Sequence, residues 1–181
     1  MKASTKNLIV LFPGAGYTVG NPLLYYADLK YYTKGYECIK INYGDCIRKD
    51  ISWDKVIKSI KNYVLKQTNR VDFSMYDDIL FVSKSLGTVI AGWLDDIKGV
   101  NARHIYLTPI NETLQYMKNG KNISIVIAGT KDNFMDTTTL TDHCKNENVK
   151  LKLIENAGHS LEIESDMSIS IDILKEVVET Y

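Results

Sequence analysis

A serine, an acid and a histidine each follow an apolar segment of this sequence, and side chains of these types can together carry out nucleophilic chemistry on acyl groups. They are Ser85 after residues 79–82, Asp132 after residues 123–128, and His159 after residues 149–154. Ligands bind at the carboxyl ends of the strands in an open parallel sheet. If the three segments are strands of one such sheet, the three side chains emerge at the same edge.

The serine lies in a motif that favours an exposed nucleophile. Residues 83–87 read SKSLG, which matches the nucleophile elbow with Ser83 in place of the usual first glycine. This elbow places the serine on a strained turn between a strand and a helix, so the residues two before and two after it must be small. Ser83 and Gly87 meet that requirement. The simpler alternative is that Ser85 only caps a helix, and we expect Lys84 to be a surface charge.

Alternating strand and helix patterns predict the elements that position these residues. Continuous apolar runs predict buried strands at residues 8–12, 38–43, 79–82, 104–108, 123–128 and 149–154. Helical periodicity predicts helices over residues 23–32, after Ser52, and over 86–97, 111–117 and 166–181. This alternation predicts an α/β fold, a three-layer sandwich whose mostly parallel six-stranded sheet carries helices on both faces. No linker or repeat divides the chain, so we expect one domain over residues 1–181.

Composition excludes several classes of function. Lys+Arg and Asp+Glu are both 22, and this zero net charge argues against a nucleic-acid partner. No apolar run approaches the roughly 20 residues that span a bilayer, so we expect no membrane association. The three cysteines and three histidines are too few and too scattered for a disulfide framework, a metal site or a bound cofactor. Reduced thiols and the lack of a signal-peptide pattern predict a cytoplasmic protein.

With these motifs in this order, the chain resembles the α/β-hydrolase family, in particular its small bacterial serine hydrolases without a lid. The resemblance extends from residue 8 to the last predicted helix. It implies that Ser85 is the nucleophile, that His159 is the general base, and that Asp132 is the acid that orients the imidazole. It also implies an oxyanion hole formed by the backbone N–H groups of Leu86 and Ala15.

The sequence departs from the family pattern after the first strand, where Phe-Pro-Gly at 12–14 replaces the common His-Gly. The backbone N–H groups of Gly16 and Tyr17 are therefore alternatives to that of Ala15 in the oxyanion hole. The leading antiparallel strands of larger members are missing. The segment between the fourth and fifth strands is too short for a cap domain, so we expect an open site.

Other residues at the strand ends are candidates for the site. Asp136 and Asp142 lie close to Asp132 in the sequence and are alternative acids for the triad. Four residues that follow strand ends are expected to form the walls of a substrate pocket: Tyr17, Asn111, Phe134 and Met135.

The function predicted from this reading is hydrolysis of an ester of a small or medium acyl group, with a small-molecule acyl substrate as the partner. A thioesterase, an amidase or an acyltransferase would use the same triad. A hydrolase fold that binds without turnover is a further alternative. The glycines at 14, 16 and 20 superficially resemble a dinucleotide-binding fingerprint, but their spacing is one residue too long and Pro13 and Pro22 delay the helix.

Overall fold

The computed structural model describes residues 5–181, so the first four residues of the predicted domain lie outside the described chain. The strands are β1 (Asn7–Phe12), β2 (Tyr36–Lys40), β3 (Asp78–Lys84), β4 (Arg103–Leu107), β5 (Ile123–Gly129) and β6 (Leu151–Ile154). The helices are α1 (Pro22–Tyr32), α2 (Trp53–Thr68), α3 (Leu86–Lys98), α4 (Thr137–Asn146) and α5 (Met167–Thr180). Short 3₁₀ helices cover Gly44–Cys46, Phe73–Met75 and Asn111–Tyr116.

All six strands pair in parallel, in the order β2-β1-β3-β4-β5-β6. The chain first adds β2 on one side of β1 and then crosses to add β3 on the other side. The carboxyl ends of β1 and β3 therefore flank a topological switch point, where ligands bind in sheets of this type. The predicted parallel α/β sheet is confirmed.

Strand β1 shows why the apolar segments lack polar alternation. Leu8, Val10 and Phe12 are buried in one core, and Ile9 and Leu11 are buried in the other. Helices α2, α3 and α4 pack over the first face of the sheet, and α1 and α5 pack over the second. A strand that is buried on both faces must be apolar at every position. This arrangement confirms the three-layer sandwich.

Strand β2 spans Tyr36–Lys40 rather than the predicted 38–43, and two helical elements also differ from the prediction. The segment predicted as a helix over 111–117 is a 3₁₀ helix, too short for α-helical periodicity to be tested. Helix α4 was not predicted, because it is rich in threonine and buries only Leu140 and Cys144, a single i, i+4 pair. Within residues 5–181 no cap domain is inserted, and no helix is long and apolar enough to cross a membrane.

Candidate active site

The elbow between β3 and α3 holds Ser85 in a conformation that L-residues rarely adopt, with φ 54° and ψ −122°. Close packing imposes the small residues on either side. A Cβ at Gly87 would lie 2.3 Å from the carbonyl oxygen of Phe12. Ser83 is fully buried, and its hydroxyl donates to the carbonyl of Ile105 at 3.3 Å. The motif therefore needs small residues at these positions because the elbow packs tightly against β1 and β4.

The structure brings Ser85, His159 and Asp132 into one hydrogen-bonded chain. His159 Nε2 lies 2.8 Å from Ser85 Oγ, and His159 Nδ1 lies 2.9 and 2.8 Å from the two carboxylate oxygens of Asp132. A carboxylate can only accept, so Nδ1 donates to Asp132 and Nε2 is left to accept from the serine hydroxyl. This is the arrangement in which the imidazole can remove the serine proton.

Two further contacts fix the acid and the imidazole. The Asp132 side chain is 1% exposed, and its Oδ1 accepts the N–H of Phe134 at 2.8 Å. The Phe134 ring packs against the imidazole at an interplanar angle of 44°, with 4.4 Å between the ring centroids. The His159 side chain is 21% exposed, so the imidazole remains accessible from solvent while its carboxylate partner is covered.

The alternative acids occupy other positions. Asp136 is the N-cap of α4, where its carboxylate accepts the N–H of Thr139 at 2.7 Å. These hydrogen bonds from Thr139 hold the pKa of Asp136 below its usual value. Asp142 is exposed on α4. Of the three candidates, Asp132 is the one placed against His159.

The loop after β1 is held in place beside the elbow. The Tyr43 hydroxyl is buried and donates to the Pro13 carbonyl at 2.7 Å, and the Gly14 N–H donates to the Tyr17 carbonyl at 2.9 Å. Ala15 therefore follows a fixed turn, and it lines the same cavity as Ser85 and Leu86. Leu86 is the first residue of α3, so its N–H has no partner within the helix and lies at the positive end of the helix dipole.

A cavity of about 310 Å³, here named the proximal cavity, opens above Ser85. Its walls include Tyr17 and Phe134, two of the four residues expected there. Asn111 and Met135 lie outside it: Asn111 is exposed at the start of the 3₁₀ helix, and Met135 is buried in the core.

Sequence reasoning missed four of the residues that line the proximal cavity: Trp53, Lys84, Ile110 and Ser160. Ile110 lies shortly after β4, so the rule that selected the residues after strand ends could have found it. Trp53 begins α2 and follows no strand, so no signal in the sequence indicated it.

Lys84 was expected on the surface, and this expectation was wrong. The residue is 1% exposed, because it ends a strand that is covered on both faces. Its ammonium group donates to the backbone carbonyl of His159 at 2.8 Å and lies 5.1 Å from the centroid of the Tyr17 ring. Burial lowers the pKa of Lys84 to about 8, although the Asp132 and Glu162 carboxylates oppose the shift.

No group of three or more histidine, cysteine, aspartate or glutamate side chains suited to a metal ion occurs among the described residues.

No family model matches this chain, and no curated protein matches it. Several solved structures do match this chain. An α/β serine hydrolase homologue from Coxiella burnetii is 15% identical, with a TM-score of 0.66 over 98% of this chain and 86% of that chain. An α/β serine hydrolase without a lid from Xanthomonas campestris is 14% identical, with a TM-score of 0.57 over 99% and 83%. Esterase 2 from Thermogutta terrifontis, phosphorylated by paraoxon, is 17% identical, with a TM-score of 0.61 over 98% and 80%. This chain has the α/β-hydrolase fold.

Proposed function

We propose that this protein is a serine hydrolase that cleaves esters of small or medium acyl groups through an acyl-enzyme intermediate. The observation that carries the proposal is the continuous hydrogen-bonded chain from Asp132 through His159 to Ser85, which ends at the floor of an open cavity. The likeness to an esterase fold from Thermogutta terrifontis supports ester bonds as the first choice of substrate.

In the first half of the reaction, Ser85 Oγ attacks the acyl carbon while its proton passes to His159 Nε2. The carbonyl oxygen of the ester becomes an oxyanion, which accepts hydrogen bonds from the N–H groups of Leu86 and Ala15. Asp132 holds the imidazole in position and stabilises its charged form. When the tetrahedral intermediate collapses, the bond to the alcohol oxygen breaks and His159 gives that oxygen its proton. The alcohol leaves and the acyl group stays on Ser85.

In the second half, His159 removes a proton from a water molecule, which attacks the acyl carbon of the acyl-enzyme. The bond from this carbon to Ser85 Oγ breaks, and Oγ takes the proton back from the imidazolium. A carboxylic acid leaves and the free serine is restored. The open cavity admits the water that this step needs.

The proposal is tested by labelling with a fluorophosphonate and locating the modified peptide by mass spectrometry. We expect labelling at Ser85 in the folded wild type, no labelling in Ser85→Ala, and full labelling in Ser168→Ala, which changes an exposed serine on α5. Heat-denatured wild type should stay unlabelled, because the activation depends on the fold. A folded wild type that neither reacts nor hydrolyses p-nitrophenyl acetate would overturn the proposal.

A further inference from the structure

A second cavity adjoins the proximal cavity and shares two lining side chains with it. It has a volume of about 490 Å³ and lies between α2, α3 and the 3₁₀ helix Asn111–Tyr116. Trp53 and Ile110 line both cavities, so the two spaces meet at these side chains. We name the second space the distal groove. A substrate whose ester lies at Ser85 can extend past Trp53 and Ile110 into it.

Three aromatic side chains line the distal groove. Trp53 is 44% exposed and also lines the proximal cavity, whereas Trp93 and Tyr116 line the distal groove alone. The chain contains only two tryptophans, and both line this groove. Lys61 lies over Trp93, with its ammonium nitrogen 5.1 Å from the ring centroid. Aromatic faces of this kind bind flat or C–H-rich ligand surfaces and keep polar contacts at their edges.

The polar side chains of the distal groove balance in charge. Lys58 and Lys61 are matched by Asp54 and Glu112, and the amide of Gln115 lies in the same wall. An anionic or a cationic ligand would meet like charges there as well as opposite ones. A plain hydrocarbon chain would remove these groups from water and give no hydrogen bond in return, which is unfavourable. The groove therefore suits a ligand that is neutral, rich in hydroxyl groups and apolar on its faces.

We propose that the distal groove binds the alcohol part of the substrate and that this alcohol is a neutral pyranoside, acylated at the hydroxyl group that reaches Ser85. The C–H face of the sugar ring would stack on Trp53. Its hydroxyl groups, each a donor and an acceptor, would bond to Glu112, Gln115 and Lys58. This inference rests on the proposed esterase function for the cleavage step, but binding in the groove does not require turnover.

Binding is tested without turnover in the Ser85→Ala protein, by titrating tryptophan fluorescence with methyl glucoside and with methyl xyloside. We expect a saturable change with at least one sugar, since both tryptophans lie in the distal groove. Glu112→Ala should raise the Kd about tenfold, because it removes a charged acceptor. The matched control Glu155→Ala, an exposed acid outside the groove, should leave the Kd unchanged. No change with either sugar, or equal Kd values in the two variants, would overturn the inference.

Hydrolysis gives the second test. We expect kcat/KM for monoacetylated methyl glucoside or methyl xyloside to exceed that for cyclohexyl acetate at least tenfold, and this ratio should fall in Glu112→Ala and stay constant in Glu155→Ala. Efficient hydrolysis of cyclohexyl acetate with no preference for either sugar ester would sink the pyranoside inference and leave the esterase proposal standing. Fluorescence binding without hydrolysis of any ester would sink the esterase proposal and keep the pyranoside site.

Discussion

At the residue scale, the site depends on how each side chain restricts the next one. The N–H of Phe134 holds the carboxylate of Asp132 in place, and this carboxylate orients the imidazole of His159. The imidazole in turn accepts a hydrogen bond from the Ser85 hydroxyl. A chain of this kind acts as a unit, since the loss of one member leaves the others without a partner for proton transfer.

The unit predicts non-additive losses. Ser85→Ala should lower kcat about 10⁵-fold or more, His159→Ala should lower it comparably, and the double variant should be no slower than either. The measurement is kcat for p-nitrophenyl acetate in the three purified variants, with folding checked by circular dichroism. Losses that multiply in the double variant would show that the two residues act independently.

The position of Asp132 beside His159 predicts that substitution of Asp132 lowers kcat far more than substitution of the neighbouring Asp136. Asp132→Asn should lower kcat by about 10³- to 10⁴-fold, because the amide can present its N–H₂ to Nδ1 and favour the wrong imidazole tautomer. Asp136→Asn keeps a good N-cap residue on α4 and should change kcat less than twofold. Steady-state kinetics on both variants decides between them. The reverse order of damage would make Asp136 the acid.

The burial of Lys84 predicts that removal of its charge raises the stability of the protein and lowers its activity. Its pKa is 10.5 in the unfolded chain and about 8 in the folded one, so between these values the unfolded state binds more protons and stability rises with pH. Above pH 10.5 the lysine is neutral in both states and does not lower stability. The penalty for its buried charge grows as the pH falls from 10.5 to 8 and is complete below 8. At pH 7 the buried charge costs up to about 3 kcal/mol, which the hydrogen bond to the His159 carbonyl partly offsets.

Lys84→Met should therefore raise the free energy of unfolding at pH 7 by about 2 kcal/mol, and the gain should shrink towards pH 10. The same change should lower kcat, because the backbone that carries His159 loses its anchor. Urea denaturation at pH 7, 8.5 and 10 measures the difference from wild type. A variant that is less stable than wild type by the same amount at every pH would contradict the assignment of a destabilising buried charge.

Much of the residue-scale geometry was predictable, and the reason is local. Ser85, Asp132 and His159 follow β3, β5 and β6, and parallel strands bring their carboxyl ends to one edge. Trp53 and Lys84 were not recognised, because the neighbours of a tryptophan at the start of a helix and the burial of a lysine at the end of a strand depend on which elements pack beside them. These packing partners are set by the tertiary structure and leave no signal in the local sequence. The catalytic roles of the three residues stay predictions.

At the element scale, the elbow carries a tight packing constraint beside the site. Gly87→Ala would place a Cβ 2.3 and 2.5 Å from the backbone carbonyl oxygens of Phe12 and Pro13. Backbone atoms cannot rotate away as a side chain can. We expect a loss of about 3 kcal/mol or more in the free energy of unfolding.

The loop that carries Ala15 should also shift in this variant, so activity should fall even where the protein is folded. Denaturant unfolding compares Gly87→Ala with the control Gly20→Ala, whose Cβ would meet only the Thr18 hydroxyl at 3.6 Å. Equal stability of the two variants would show that the elbow can relax.

The central strands were predictable because both of their faces are apolar, whereas helix α4 was missed because little of its surface is. The residues of β1, β3 and β5 are buried on both sides of the sheet, so their sequence carries a continuous apolar signal. Helix α4 buries one narrow stripe at the end of the sandwich, and its threonines are indifferent helix formers. Its start is specified by the Asp136 cap rather than by periodicity.

At the scale of the whole molecule, the sheet order explains why the candidate site lies where it does. The loop after β1 and the elbow after β3 meet at the switch point between these adjacent strands. The acid and the histidine arrive from β5 and β6 on the far side of β4. The strand-end loops line the proximal cavity and helices α2 and α3 line the distal groove, so one substrate could contact both the strand-end loops and the helices on one face of the sheet.

The same view predicts how the protein responds to insoluble substrates. Lid-gated lipases open at an oil–water interface, whereas the segment from β4 to β5 here holds only the 3₁₀ helix Asn111–Tyr116 and leaves the His159 side chain 21% exposed. With no domain in residues 5–181 to move aside, the rate on tributyrin should saturate smoothly as its concentration crosses the solubility limit. Titration in a pH-stat measures this curve. A steep rise in rate at the onset of the emulsion would require a closed form of the site, and the open edge of the sheet would then describe only one state of the protein.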